Sequence, residues 1–314
     1  MLTLDRRICT RLKHGLHTMF AIGQRVGLDI LPHHFYSSIP DLHELKNRDG
    51  WRQPLSMVGV GGAEIESQMQ FLRECCQPPL RERLCQASIH KHACRENGET
   101  GYGPIEADFL FCLVATRKPR KIIQLGCGVS TAVILLAAQE AGYKPEMVCV
   151  DPFPNLYLKH VAARGLITLI AQQGQDVDLQ ELTNLGAGGL LFVDSTHAVR
   201  PGSEVNRLVL EALPRVKPGC FVHFHDIYFP YDYQPTVLSE IFFSAESTLL
   251  HAFLINNAQY SIAVSLSMLH HACPEELRSV LPNYRPSVMC DGLLAERDGA
   301  GHFPSATYLV ARQI

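Results

Sequence analysis

The feature that most constrains this chain begins at Ile105 and runs almost to its end. Short runs rich in β-branched and aromatic residues alternate there with segments of helical period. Strands are expected at 121–125, 147–150, 167–171, 189–193 and 221–225, and helices at 106–117, 131–141, 156–164, 179–185, 203–213 and 235–243. Strands that are apolar throughout, rather than at every second residue, must be covered on both faces. Helices of this length supply the crossovers that parallel strands need. The runs 260–265 and 306–311 add two last strands, an antiparallel pair at one edge. The expected fold is α/β: a Rossmann-like, doubly wound, mostly parallel seven-stranded sheet.

The first hundred residues read differently. Pro32, Pro40, Asp49-Gly50, Gly59-Val60-Gly61-Gly62 and Pro78-Pro79 interrupt them, and Ile65, Met69 and Leu72 mark a helical period. We expect residues 1–100 to form a helical and irregular arm or cap on a domain of residues 101–314. An arm without strand periodicity needs a surface on which to bury its apolar face, and a homodimer would provide one. Arg6, Arg7, Arg11 and Lys13 precede the apolar stretch 19–22, which Gln24 and Arg25 cut too short for a secretory signal. An ordinary amphipathic helix is the reading, with contact to a membrane surface or a partner as the alternative.

With Lys+Arg 28 against Asp+Glu 31, the net charge of -3 leaves no basic footprint for a nucleic-acid backbone. The longest apolar runs, such as 132–138, fall far short of the about 20 residues of a transmembrane helix. The 11 cysteines are an odd number, and Cys112, Cys149 and Cys220 lie inside apolar runs. That usage fits buried free thiols in a reducing, cytoplasmic setting. Cys75, Cys76, Cys85, His90, His92 and Cys94 crowd one segment without a Cys-x2-Cys spacing, so they are read as surface helix residues.

The first strand of the α/β region ends in Gln124-Leu125-Gly126-Cys127-Gly128-Val129-Ser130-Thr131 and leads directly into a helix. Glycines without Cβ let a bound adenosyl group approach the main chain, and the helix N-terminus offers free N–H groups to a carboxylate. Thr131 stands where a dinucleotide fingerprint has its third glycine. About 20 residues beyond Gly128, the second strand ends at Val150-Asp151, where an acid can hold both ribose hydroxyls. Together the two motifs read as nucleoside binding.

These blocks, with Leu191-Phe192-Val193-Asp194-Ser195-Thr196-His197, Leu213-Pro214-Arg215-Val216-Lys217-Pro218-Gly219 and Val222-His223-Phe224-His225-Asp226-Ile227, resemble the class I S-adenosylmethionine-dependent methyltransferases. The branch is that of small-molecule and sugar O-methyltransferases, and the likeness runs from about Tyr102 to the C-terminus. The arm segment His34-Phe35-Tyr36-Ser37-Ser38-Ile39-Pro40-Asp41 is similar to what precedes the domain in such proteins. The resemblance implies S-adenosyl-L-methionine as cofactor, with Gly126 and Gly128 beside its methionine and ribose and Asp151 on the ribose. Tyr102 and Gly103 would lie against it, Gln124 takes the place of a common acid, and Ser130 and Thr131 belong to the same set. Gln175, Asp176 and Asp178 follow the third strand, where adenine is contacted.

Parallel sheets place ligands at the carboxyl ends of their strands, so Asp194, after the fourth, and His225 and Asp226, after the fifth, should meet beside the reacting methyl group. An acceptor hydroxyl needs a base or a metal that lowers its pKa. His197, just past Asp194, is favoured as the base, whereas His223, inside a strand, reads as a core histidine. In metal-dependent relatives the positions of Asp194, His225 and Asp226 carry carboxylates or amides that suit magnesium. Histidine suits zinc, iron or manganese instead, so a divalent metal on these three is the second reading.

The segment 228–235 reads as a wall over the acceptor, the smaller residues of 243–250 leave the acceptor's identity open, and His270-His271 reads as an exposed turn. The expected function is O-methylation of a small hydroxylated molecule. Two other classes share these features. An NAD-dependent oxidoreductase would need the turn to seat a pyrophosphate, and a catalytically silent nucleoside-binding scaffold subunit would tolerate loss of Asp194, His197 and Asp226.

Overall fold

The computed structural model describes residues 6–34, 36–286, 289–290, 293–294 and 302–313. It divides into two compact units, Met1–Arg48 and Asp49–Ile314. The first holds helices α1 (Arg6–Arg25) and α2 (Leu42–Asn47). Asp41 caps α2, its carboxylate accepting from the amides of His43 and Glu44 at 2.9 and 3.0 Å. Phe35 of the arm motif lies outside the described residues.

The second unit is built on a seven-stranded sheet: β1 (Lys121–Leu125), β2 (Glu146–Val150), β3 (Thr168–Ile170), β4 (Leu190–Val193), β5 (Phe221–Phe224), β6 (Tyr260–Ser265) and β7 (Thr307–Ala311). Their order is β3-β2-β1-β4-β5-β7-β6. The first five run parallel, and β7 lies antiparallel between β5 and β6. The expected antiparallel pair thus closes one edge.

Side chains along each strand alternate between two apolar cores. Ile122, Phe192 and Tyr308 point into one core with α3 (Ile65–Cys75), α4 (Pro78–Gln86), α5 (Ile89–Asn97), α6 (Pro104–Arg117), α7 (Val129–Glu140) and α8 (Leu156–Ala163). Ile123, Leu191 and Val222 point into the other, with α9 (Leu179–Thr183) and residues of the 208–213 and 250–254 stretches.

Two expectations are corrected. The compact unit begins at Asp49, not near residue 101, because Met69, Leu72, Leu84, Ile89 and Ala93 of α3 to α5 are buried in the same core as β1. Missing strand periodicity made this stretch look like an arm, but its amphipathic helices form one layer of the sandwich. The segment 235–243 forms turns rather than a helix. The Gln234 amide closes it into a loop by donating to the Phe242 carbonyl and accepting from the Ser244 amide. The helix expected over 203–213 is α10 (Glu204–Arg207), continuing as a π turn over Leu208–Ala212 in which the Leu213 amide reaches the Leu208 carbonyl.

Sheet order reverses between β1 and β4, which opens a crevice at their carboxyl ends. Leu125 pairs with both Val150 and Val193, and Val193 pairs with Phe224. Gly126, Asp151, Asp194 and His225 therefore leave the sheet at one level. Among the described residues no helix is long and apolar enough to cross a membrane.

Candidate active site

The chain turns out of β1 at Gly126, whose φ of +76° few side chains tolerate. A Cβ there would stand 1.5 Å from the Asp194 carbonyl oxygen, so only glycine lets β1 and β4 close at this point. Buried Gln124 fastens the turn: its Nε2 donates to the Gly126 carbonyl at 3.0 Å and to Ser130 Oγ at 2.8 Å. Its Oε1 accepts from Thr131 Oγ1 at 3.0 Å, and that hydroxyl accepts from the Gly128 amide at 3.1 Å. Gln124 and Thr131, expected against the cofactor, instead brace the turn from behind.

Two cavities flank this turn. One of about 230 Å³ is lined by Asn97, Tyr102, Gly126, Gly128, Ser130, Asp151, Asn155 and Asp194, among others. The other, about 350 Å³, lies between Val150, Phe153, Gln173, Gln175, Asp194, Arg200 and Glu204 and also touches Gly126. Asp151 accepts from the amides of Cys127 at 3.2 Å and Phe153 at 2.8 Å, so it fixes both loops while facing the smaller cavity.

Three expected contacts are placed elsewhere. Asp176 is exposed and borders neither cavity, because Gln173 and Gln175 occupy that wall. Gly103 is buried against Glu106 and His302, where a Cβ would come within 1.8 Å of His302 Nε2. Asp178 caps α9, accepting from the Gln180 amide at 2.7 Å.

Beyond Asp194 the strand ends gather a cluster of acids and histidines. His197 Nε2 lies 3.6 Å from both Asp194 Oδ1 and Asp226 Oδ2. His225 Nδ1 lies 3.3 Å from Asp194 Oδ1 and 3.5 Å from Asp226 Oδ1. Neither ring nitrogen of His225 makes a hydrogen bond, although both are buried. Among the described residues, five besides glycine have positive φ, and Tyr102, His197 and Asp226 are three of them. Backbone held in this region costs about 1–3 kcal/mol per residue and concentrates at functional sites.

On its far side, His197 Nδ1 meets Glu246 Oε2 at 2.7 Å, and the Glu246 side chain is 1% exposed at the start of α11 (Glu246–Leu254). Burial alone would pull the His197 imidazole down, but the neighbouring carboxylate of Asp194, the hydrogen bond to Glu246 and the charges of Glu246 and Asp226 hold it up at about 11. For His225 the charges of Asp194 and Asp226 likewise outweigh burial and raise it to about 9. Burial opposes ionisation of Asp194, yet the two histidines keep its carboxyl well below the usual range. The surrounding carboxylates thus favour the protonated imidazole, the form that must give up its proton before His197 can act as the general base expected of it.

His223 is a core residue, as expected: fully buried, stacked on Phe192 at 3.9 Å and 3.2 Å from the Tyr102 hydroxyl. His270 is half-buried with its Nδ1 2.5 Å from the Tyr284 hydroxyl, and His271 packs on Tyr231 and Phe303, so this pair is no exposed turn.

Sequence reasoning missed the acids that support the cluster. Ser305 Oγ donates to Asp226 Oδ1 at 2.9 Å, and its amide donates to Glu106 Oε1 at 2.9 Å. Glu204 Oε1 accepts from the Thr196 amide at 3.0 Å and from its hydroxyl at 2.5 Å. Glu106 lies with Asp108 in the otherwise mostly apolar α6, which was an available signal, whereas Glu246 opens α11 and is followed by Ser247 and Thr248.

Residues 123–227 match the model of a family described as a methyltransferase domain. An uncharacterized protein of Archaeoglobus fulgidus is 26% identical over 173 residues, which cover 51% of this chain and 75% of the relative. Among solved structures, the O-methyltransferase TomG of Streptomyces achromogenes, in complex with SAM, is 16% identical with a TM-score of 0.41, over 73% of this chain and 89% of its own. An O-methyltransferase of Bacillus cereus in complex with SAH is 13% identical with a TM-score of 0.42, over 75% and 92%. The matched segment is the one that builds the glycine turn and the ends of β4 and β5, and through it the chain resembles the class I S-adenosylmethionine-dependent methyltransferases.

Proposed function

We propose that the protein transfers a methyl group from S-adenosylmethionine to a hydroxyl of a small acceptor. One observation carries the reading: Asp194 borders both cavities at the glycine turn and also belongs to the histidine and aspartate cluster. Cofactor cradle and reactive groups thus meet at one residue.

The larger cavity, walled by Val150, Phe153 and Gln175, suits adenine, and the smaller one suits the ribose and methionine beside Asp151 and the start of α7. In the reaction the bond from sulfur to the methyl carbon breaks as the bond from acceptor oxygen to that carbon forms. The sulfonium becomes a neutral thioether, and the hydroxyl proton leaves toward the cluster. The chain's part is to hold both reactants in line and to surround the cationic sulfur with fixed carboxylates.

A dinucleotide fits the turn less well. The Gly128 amide, which a pyrophosphate would use, is already bonded to Thr131 Oγ1.

Methyl-labelled S-adenosylmethionine, offered with a panel of phenols, catechols and sugars, tests the reading. Label should pass to at least one acceptor class, and Asp194→Ala should lose transfer while still binding S-adenosylhomocysteine. Transfer undiminished in Asp194→Ala, or hydride transfer from a hydroxylated substrate to NAD in place of methyl transfer, would contradict it.

A further inference from the structure

We propose that helix α1 (Arg6–Arg25) is a docking element for an anionic lipid surface, lying flat with its apolar face among the acyl chains and its cations among the headgroup phosphates. The inference concerns the arm alone and stands apart from the methyl-transfer reading.

The sequence of α1 divides its circumference cleanly. At about 100° per residue, Ile8, Leu12, Leu16, Met19, Phe20 and Ile22 fall within one arc of about 160°, and no charged, hydroxyl or amide residue falls inside it. The charged positions Arg6, Arg7, Arg11, Lys13 and Arg25 all lie outside the arc, within about 60° of its two borders, and none is acidic. A helix face that needs only solvation gains from carrying both signs in pairs one turn apart, and α1 has no acid to form them. The whole chain has a net charge of -3, so the positive sign belongs to this helix and not to the surface at large. Cations on both flanks of an apolar arc can reach headgroup phosphates while the arc is buried, which is the pattern of helices that lie in a bilayer interface.

The structure leaves this arc uncovered. Leu16 is 43% exposed, Met19 50% and Ile22 56%. At Gly23, in the same arc, the chain folds back: the Val26 and Leu28 amides donate to the Gly23 carbonyl at 3.0 and 2.9 Å. A Cβ on Gly23 would stand 2.6 Å from the Leu28 carbonyl oxygen and 3.4 Å from Ile30 Cδ1, so the turn closes directly on the arc. Leu28 and Ile30 are themselves exposed and carry the apolar surface past the helix end. A continuous exposed apolar patch marks an interaction surface, and the cations that border this one select an anionic partner. The 20 residues give a helix about 30 Å long, but its charges keep it from crossing a bilayer and leave it to lie along the surface.

The test sediments full-length protein with vesicles of phosphatidylcholine containing about one-third phosphatidylglycerol and, separately, with vesicles of phosphatidylcholine alone. Binding to the anionic vesicles should be at least about a hundredfold tighter, and most of that advantage should vanish at about 0.5 M salt. Arg11→Gln combined with Lys13→Gln should weaken anionic binding by about 20–30-fold. Ile22→Asp, at an exposed position, should weaken it by about a hundredfold with thermal unfolding unchanged. Equal binding to the two vesicles, or undiminished binding by Ile22→Asp, would overturn the proposal. Failure to bind either vesicle would overturn it as well, and a dimer in light scattering that Ile22→Asp converts to monomer would then assign the arc to a second copy of the chain.

Discussion

Glu246 and His197 lie 49 residues apart in sequence, yet their side chains meet at 2.7 Å in the buried floor of the cleft. The contact fixes the orientation of the His197 ring and favours its protonated form. Removing one partner of a buried ion pair strands the other. Glu246→Ala should therefore lower unfolding stability by about 3 kcal/mol, measured by urea denaturation. A loss below about 1 kcal/mol would mean that the contact carries little of the floor's stability.

Gly126 admits no side chain, because the Asp194 carbonyl fills the place of its Cβ. Gly126→Ala should force the turn open and weaken S-adenosylhomocysteine binding at least tenfold. Gly50→Ala, where a Cβ meets nothing within 4 Å, is the matched control and should leave binding unchanged. Equal affinities in the two variants would refute the cradle.

Thr131 touches neither cavity, but its hydroxyl joins Gln124 to the Gly128 amide. Thr131→Val keeps the volume and removes both bonds, which should cost about 1–3 kcal/mol of stability. Thermal unfolding in step with nucleoside titration checks it. A stable variant with normal binding would show that the turn needs no brace.

The sheet was legible because each strand is a short apolar run bounded by helix, and the ends of β1, β4 and β5 announced Gly126, Asp194 and His225 as neighbours. The arm boundary was not legible. α3 to α5 carry helical periodicity, and nothing local says whether such a face packs on a sheet or on another chain. Asp194, His225 and Asp226 converge as topology required, whereas Glu246 arrives from a helix whose approach depends on packing. Gln124 and Asp176 show the converse limit: position along a strand end does not fix which way a polar side chain turns.

Asp108, buried in α6, accepts from Asn283 Nδ2 at 2.9 Å, and burial pushes its carboxyl up to about 7 against the opposing effects of Asn283 and Arg83. Its ordinary value is 3.8, so the folded state holds the proton more tightly than the unfolded one. Its contribution to stability is fully present below that value and is lost as pH rises through about 7. Asp108→Asn should then match the wild type near pH 3.5 and exceed it at pH 8 by on the order of 3 kcal/mol. Denaturation curves at the two pH values test this, and equal stability at pH 8 would contradict it.

The central claim is that the two cavities meeting at Gly126 and Asp194 form one site for S-adenosylmethionine. Isothermal calorimetry of the wild-type protein with S-adenosylhomocysteine and, separately, NAD tests it most directly. The account predicts one S-adenosylhomocysteine per chain at roughly micromolar Kd, near −8 kcal/mol, weakened by Asp151→Ala, and no measurable heat from NAD. Tighter binding of NAD, or no binding of S-adenosylhomocysteine, would contradict it.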